Sequence, residues 1–204
     1  MANEIVLAED ALNASVDAVV DLVDAGSGAG LCNVYSVAVA CVATNATNLF
    51  TDVAHGLENN DRVRMKGTAL PAELDTETIH HIVNKTADTF QVALTQGGAA
   101  VTFTDDGTSV TYCPLLVKIE LNDPAYGDSS GGVAALDATP EPEDTPILAG
   151  TAENADMVDS DDNIIFSGKC DTSGALVNFN SLEIVTEVNA KITSGSYTQA
   201  AGTL

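Results

Sequence analysis

Three histidines, four cysteines and one acidic cluster are the residues of this 204-residue chain whose types suit chemistry. His80 and His81 are neighbours in a β-like run, so their side chains are expected on opposite faces, where they cannot share a metal. His55 stands before Gly56 at a turn entrance. The histidines are therefore read as structural or surface residues. Cys32, Cys41, Cys113 and Cys170 lack the CxxC or Cys/His spacing of a zinc site, and sequence alone leaves their pairing open. No serine or cysteine sits in a nucleophile elbow, and no Gly-rich loop lies between a strand and a helix to cradle phosphate. Asp159-Ser-Asp161-Asp-Asn163 begins like a calcium loop, with acids at alternate positions. Its sixth position should be Gly and is Ile164, and its twelfth should be Glu and is Cys170. A hairpin turn is the expectation, with incidental Ca²⁺ binding by this or another acidic loop as the runner-up. No catalytic residue, cofactor site or resident metal is expected, and the chain reads as non-enzymatic.

The elements around these residues are mainly β. His55 to Tyr112 is a string of short runs: Arg62-Val-Arg-Met-Lys66 alternates, and so do Phe90, Val92 and Leu94, Val101 with Phe103, and Val110 with Tyr112. Period two predicts strands with one buried and one wet face. Asn59-Asn60, Gly67, Pro71, Gly97-Gly98 and Asp105-Asp106-Gly107 punctuate them as turns. Before this module, Leu7 to Asp24 predicts an amphipathic helix. Leu12, Val16, Val19, Val20 and Val23 lie on one face and Asn13, Asp17, Asp21 and Asp24 on the other, with Glu9 and Asp10 in the dipole-favoured first turn. Leu31 to Ala43 predicts one or two buried strands, and Leu115, Val117, Ile119 and Leu121 another. Asn122 to Thr151 reads as an extended loop or edge. Met157-Val158 and Ile164-Ile-Phe166 form a hairpin around the acidic turn, and runs at Ala175 to Asn180 and Glu183 to Ile192 complete a sheet. Gln199 to Leu204 reads as a frayed end.

The expected architecture is an N-terminal helix plus an antiparallel β-sandwich-like base domain, residues 1–43 and 114–204, with a small antiparallel β domain, residues 44–113, inserted between its halves. If that insertion enters and leaves through one neck, Cys41 and Cys113 at its ends come close, and a disulfide clamp between them is the candidate pairing, set against buried free thiols, which a cytosolic origin favours.

Composition narrows function. Seven Lys+Arg against 30 Asp+Glu give a net charge of −23. Such a field repels phosphate backbones and anionic lipid surfaces, so neither nucleic acid nor membrane is an expected partner. No run approaches the roughly 18 apolar residues of a spanning helix. The opening Met-Ala-Asn-Glu has no basic region before an apolar run, so a secretory signal is not expected and the protein is read as made in a cytosol. Hydrophobic residues are 45% but aromatics only 4%. The core is thin for its length, and homo-oligomerisation or docking on a partner is expected to add stability.

His55-Gly-Leu57, Asp61-Arg-Val63, Gly67-Thr-Ala-Leu-Pro71, Ala87-Asp-Thr-Phe-Gln-Val92, Gly97-Gly-Ala-Ala100 and Phe103-Thr…Gly107-Thr together resemble the small β domain that recurs in tailed-bacteriophage virion proteins. Asn60 stands in place of a usual Gly, and Ile79-His80 where an aromatic is common. Ala11 to Tyr35, Leu121 to Gly127, Ser130-Gly-Gly-Val133, Asp159-Ser-Asp161 and Thr172-Ser-Gly174 through Leu182 resemble a second phage family, small structural proteins encoded among head and tail genes. Relatives there carry an aromatic-Arg pair where this chain has Glu153-Asn-Ala-Asp156. The resemblance implies a phage virion structural protein, foremost a capsid decoration or cement protein on the head exterior, with the major capsid protein or other virion proteins as partners. A neck, collar or tail accessory protein is the alternative, and a host- or glycan-binding adhesin a second one.

Overall fold

The computed structural model describes residues 8–76 and 78–199. Leu7, at the start of the expected helix, and the expected frayed end from Ala200 lie outside them. Among the described residues the chain is mainly β, with one N-terminal helix and mixed strand pairing. It divides into two compact units, Met1–Val34 with Leu116–Leu204, and Tyr35–Leu115. Those boundaries differ from the expected 43/44 and 113/114. The reason is hydrogen bonding: Val39 and Ala40 pair with Tyr112 and Thr111, and the Cys41 N–H donates to the Val110 carbonyl, so residues 35–43 belong with the inserted unit.

In the first unit, helix α1 (Glu9–Val20) carries Glu9 and Asp10 in its first turn and buries Leu12, Val16 and Val20, a stripe that Val23 continues. Its other face is not simply solvated. Asn13 Oδ1 accepts from the Gly132 N–H at 2.8 Å and Asp17 Oδ1 from the Ser129 N–H at 2.8 Å, while Asp24 accepts from the Ala125 N–H at 3.0 Å. The helix and the turn after it thus pin residues 125–132 by side chains that periodicity assigns to water. A short helix of this composition is marginal alone, and these bonds with the buried stripe hold it.

The strand β1 (Leu31–Ser36) opens the sheet. The next strands in the chain, β2 (Val39–Ala40), β3 (Val42–Thr44), β4 (Leu49–Thr51), β5 (Arg62–Lys66), β6 (Ile79–Val83) and β7 (Thr89–Ala93), belong to the second unit. The chain then returns through β8 (Thr111–Glu120), whose Leu115, Leu116, Val117 and Ile119 are all buried, so this strand is covered on both faces. The Leu121 N–H bonds the Gly30 carbonyl, which sets the returning strand beside β1 within the base.

Residues 122–149 contain only the short strands β9 (Val133–Ala135) and β10 (Glu143–Asp144), as their Gly, Pro and acid content predicts. The hairpin of β11 (Gly150–Val158) and β12 (Ile164–Asp171) turns at the acidic loop, with Met157 opposite Phe166. It begins earlier than the expected Met157. Then β13 (Val177–Phe179) pairs parallel with β12, which makes the base mixed rather than purely antiparallel, and β14 (Glu183–Ile184) pairs with β11. The last strand, β15 (Ala190–Thr198), pairs with β13, β9 and β10. Val16, Val34, Val117, Ile119, Met157 and Ile192 share one core.

In the second unit the strand order is β8-β5-β6-β7-β4-β3, all antiparallel, with β2 also on β8. Its centre is aromatic: Phe50 lies 5.5 Å from Phe90 and 5.2 Å from Phe103, and Phe90 lies 5.1 Å from Tyr112. Asn48, Asn60, Gly97 and Gly107 adopt positive φ in the turns. Two expectations of alternation fail. Leu94 is exposed beyond the end of β7, and Arg64 is buried between Val63 and Met65 with its guanidinium 5.5 Å from the Tyr35 ring centre. Tyr35 supplies a face that a long cation can cover, so the wet position of the pattern becomes a packed one. Val101 and Phe103 form no strand; the Val101 N–H bonds the Val92 carbonyl.

Candidate functional site

Cys41 and Cys113 are both free thiols, the alternative that a cytosolic origin favours, and the candidate clamp is not formed. Register explains why. Val39 faces Tyr112 and Ala40 faces Thr111, which sets Cys41 opposite Val110, where its N–H is bonded. Cys113 is three positions farther along the strand, about 10 Å at ~3.3 Å per residue, whereas bridged cysteines have Cα atoms ~4.4–6.8 Å apart. Cys32 and Cys170 are buried free thiols too.

A cluster that sequence reasoning missed surrounds Cys41. The Tyr112 hydroxyl donates to Asp52 Oδ2 at 2.6 Å, and the Cys41 thiol contacts the Val110 carbonyl at 3.7 Å. Burial and the Asp52 charge push the Cys41 thiol up to about 12, and burial with the Asp52 bond pushes the Tyr112 phenol well above its usual value. Both shifts favour the protonated groups, the opposite of what activates a cysteine nucleophile. Nothing in the spacing of positions 41, 52 and 112 marks this cluster; only strand pairing assembles it. Its chemistry is that of a strut between the end of β4 and β8.

The histidines are structural in their contacts. His55 Nδ1 accepts from the Leu57 N–H at 3.0 Å, and its ring stands edge-on to Phe90 at 5.2 Å. His80 is fully buried while His81 is half-buried on the alternate face. Burial holds the His80 imidazole below its usual range, opposed in part by Asp75 and the Thr78 backbone. Among the described residues, no three His, Cys, Asp or Glu side chains gather as a metal site.

The acidic loop is a self-bonded turn. Asp159 Oδ1 accepts from the N–H groups of Asp161 and Asn163 at 2.9 Å each, and its Oδ2 accepts from the Asn163 side-chain amide at 2.8 Å. Those bonds hold its carboxyl below the usual carboxylate range. Lys118 Nζ donates to Asp162 at 2.9 Å, and the Ser160 hydroxyl bonds the Ser27 N–H and the Ala25 carbonyl. Asp159 is thus spent on its own turn, Asp162 is paired with Lys118, and the loop secures the helix-to-strand connection.

A concave surface lies elsewhere in the base, along residues 179–191, which run from the end of β13 past β14 into β15. A groove of about 330 Å³ has Phe179 and Ile184 among its lining, with Val185, Val188 and Lys191 around them. Phe179 and Ile184 are buried, whereas Val185 is 49% and Val188 63% exposed. Sequence patterning places Val185 and Val188 in a strand; instead the Val188 N–H bonds the Val185 carbonyl in a turn that lifts both valines to the surface. No helix among the described residues is long and apolar enough to cross a membrane. No protein-family model matches this chain, and neither a curated protein nor a solved structure is significantly similar to it.

Proposed function

We propose that this protein is a non-enzymatic structural component of a tailed-phage virion, foremost a decoration or cement protein on the head exterior. The observation that carries a structural role is how the polar side chains are used. Asn13, Asp17, Asp24, His55 and Asp159 each accept backbone N–H groups, and Asp52 and Asp162 are tied to Tyr112 and Lys118. They build turns and anchor segments rather than converge on a reacting position. The virion assignment rests on the sequence resemblance. The exterior position rests on the net charge of −23, which favours solvent over a surface facing packaged DNA.

The adhesin reading is weaker. Sugar platforms use exposed aromatic faces, and Tyr35, Phe50, Phe90, Phe103 and Tyr112, all the aromatics of the inserted unit, are buried. Quantitative mass spectrometry of purified particles tests the proposal. Copies comparable with the major capsid protein are expected; a handful per particle assigns the protein to the neck or tail, and absence from the particle refutes a virion role.

A further inference from the structure

The groove along residues 179–191 has an apolar floor, two exposed valines on its rim and a surplus of negative charge. Glu183 and Glu187 beside it are exposed, and its one cation, Lys191, is already paired with Glu143 at 2.7 Å. Beside it, β14 pairs only with β11 among the described residues. The exposed valines and the buried floor together form an apolar concavity in which a partner's apolar side chain can be buried. The charge limits which chain. A second copy carries the same net charge of −23 and has only seven Lys+Arg. Its one base-rich segment, Arg62–Lys66, is a strand paired on both edges, by β6 and by β8, with Arg64 buried. That segment is not free to enter a groove.

We infer that this groove docks a segment of a different protein, one that presents an apolar anchor side chain flanked by Lys or Arg. The anchor fills the space over Phe179 and Ile184 between Val185 and Val188, while its basic neighbours face Glu183 and Glu187. Apolar burial supplies the specificity and the charges speed and orient encounter. This inference holds for any biological setting and does not depend on the virion role.

Synthetic peptides offered to the full-length protein, with binding followed by calorimetry and by amide NMR shifts, test it. Three are compared: one of alternating Lys and Leu, one of alternating Lys and Ser, and one of alternating Glu and Leu. The Lys-Leu peptide is expected to bind saturably with shifts centred on residues 183–191. The Lys-Ser and Glu-Leu peptides are expected at least about tenfold weaker, as loss of buried anchors or of charge complementarity demands. The double variant Val185→Ser, Val188→Ser, both exposed positions, is expected to weaken Lys-Leu binding at least about fivefold with an unchanged melting temperature. If that variant melts early, Glu183→Lys with Glu187→Lys serves instead and is expected to weaken it likewise. Equal binding of Lys-Leu and Lys-Ser, shifts centred elsewhere, or no binding would overturn the inference. So would a concentration-dependent dimer lost in the valine variant, which would assign the groove to a second copy.

Discussion

Asp159 shows how far a side chain's fate depends on neighbours a few residues away. Its carboxylate accepts two backbone N–H groups and one side-chain amide, all within its own turn. Removing it with Asp159→Ala is expected to cost about 1.5–3 kcal/mol, the range for hydrogen bonds to a charged acceptor, read as a lower urea midpoint. Its pH dependence has a definite sign. A carboxyl held below its unfolded value near ~3.9 contributes fully above that pH and loses its contribution as pH falls through the lower folded value. The gap between wild type and variant should therefore be constant at neutral pH and close under acid. His80 has the same sign from a different cause. Burial disfavours its charged imidazole, so below about pH 6.5 the unfolded chain takes up a proton that the folded chain refuses, and stability falls as pH falls. Asp75 and the Thr78 backbone soften this effect, and His81 next to it adds to it. Urea midpoints between pH 7 and pH 5 should fall more steeply for wild type than for His80→Leu, by up to about one proton's worth of slope.

At the scale of elements, α1 is held from two sides. Leu12, Val16 and Val20 enter the core, and Asn13 and Asp17 grip the backbone of residues 129–132. Gly132 is the tight point of that grip: its φ is +79°, and a Cβ there would lie 2.6 Å from Leu12 Cδ2. Gly132→Ala is expected to cost about 1–3 kcal/mol, since left-handed strain and overpacking act together. Hydrogen exchange should localise the loss, with protection falling across residues 9–20. The helix itself was legible, because apolar spacing of three and four is a local property. The grip was not, since the hydrogen bonds between positions 13 and 132 and between 17 and 129 span more than a hundred residues of chain.

For the whole molecule, the two-unit division makes a deletion prediction. Gly30 and Leu121 are bonded in the base, and Val34 and Leu116 are where the two halves of the first unit end and resume. Joining Val34 to Leu116 through a short Gly-Ser linker, with residues 35–115 removed, is expected to leave a base that melts cooperatively in calorimetry. A chain without a cooperative transition would show that the second unit is needed for the first to fold. Joining at Cys41 and Cys113 instead would retain β2, Val39–Ala40, whose partners Tyr112 and Thr111 would then be absent, and should melt lower.

The sequence by itself determined what depends on local order. The mainly β class, the single helix, the Met157-to-Phe166 hairpin and the asparagine and glycine turns follow from periodicity and from dihedral preferences, which involve residues a few positions apart. Tertiary structure alone decided what depends on register. It moved residues 35–43 into the inserted unit, set Cys41 opposite Val110 instead of near Cys113, brought Asp52 to Tyr112, and buried Arg64 against Tyr35. It also turned Val185 and Val188 out of an apparent strand to rim a groove. A shift of one position in strand pairing leaves the sequence pattern untouched while exchanging every cross-strand neighbour. That is why the acidic loop was legible from the sequence, whereas the strut around Cys41 and the groove along residues 179–191 were not.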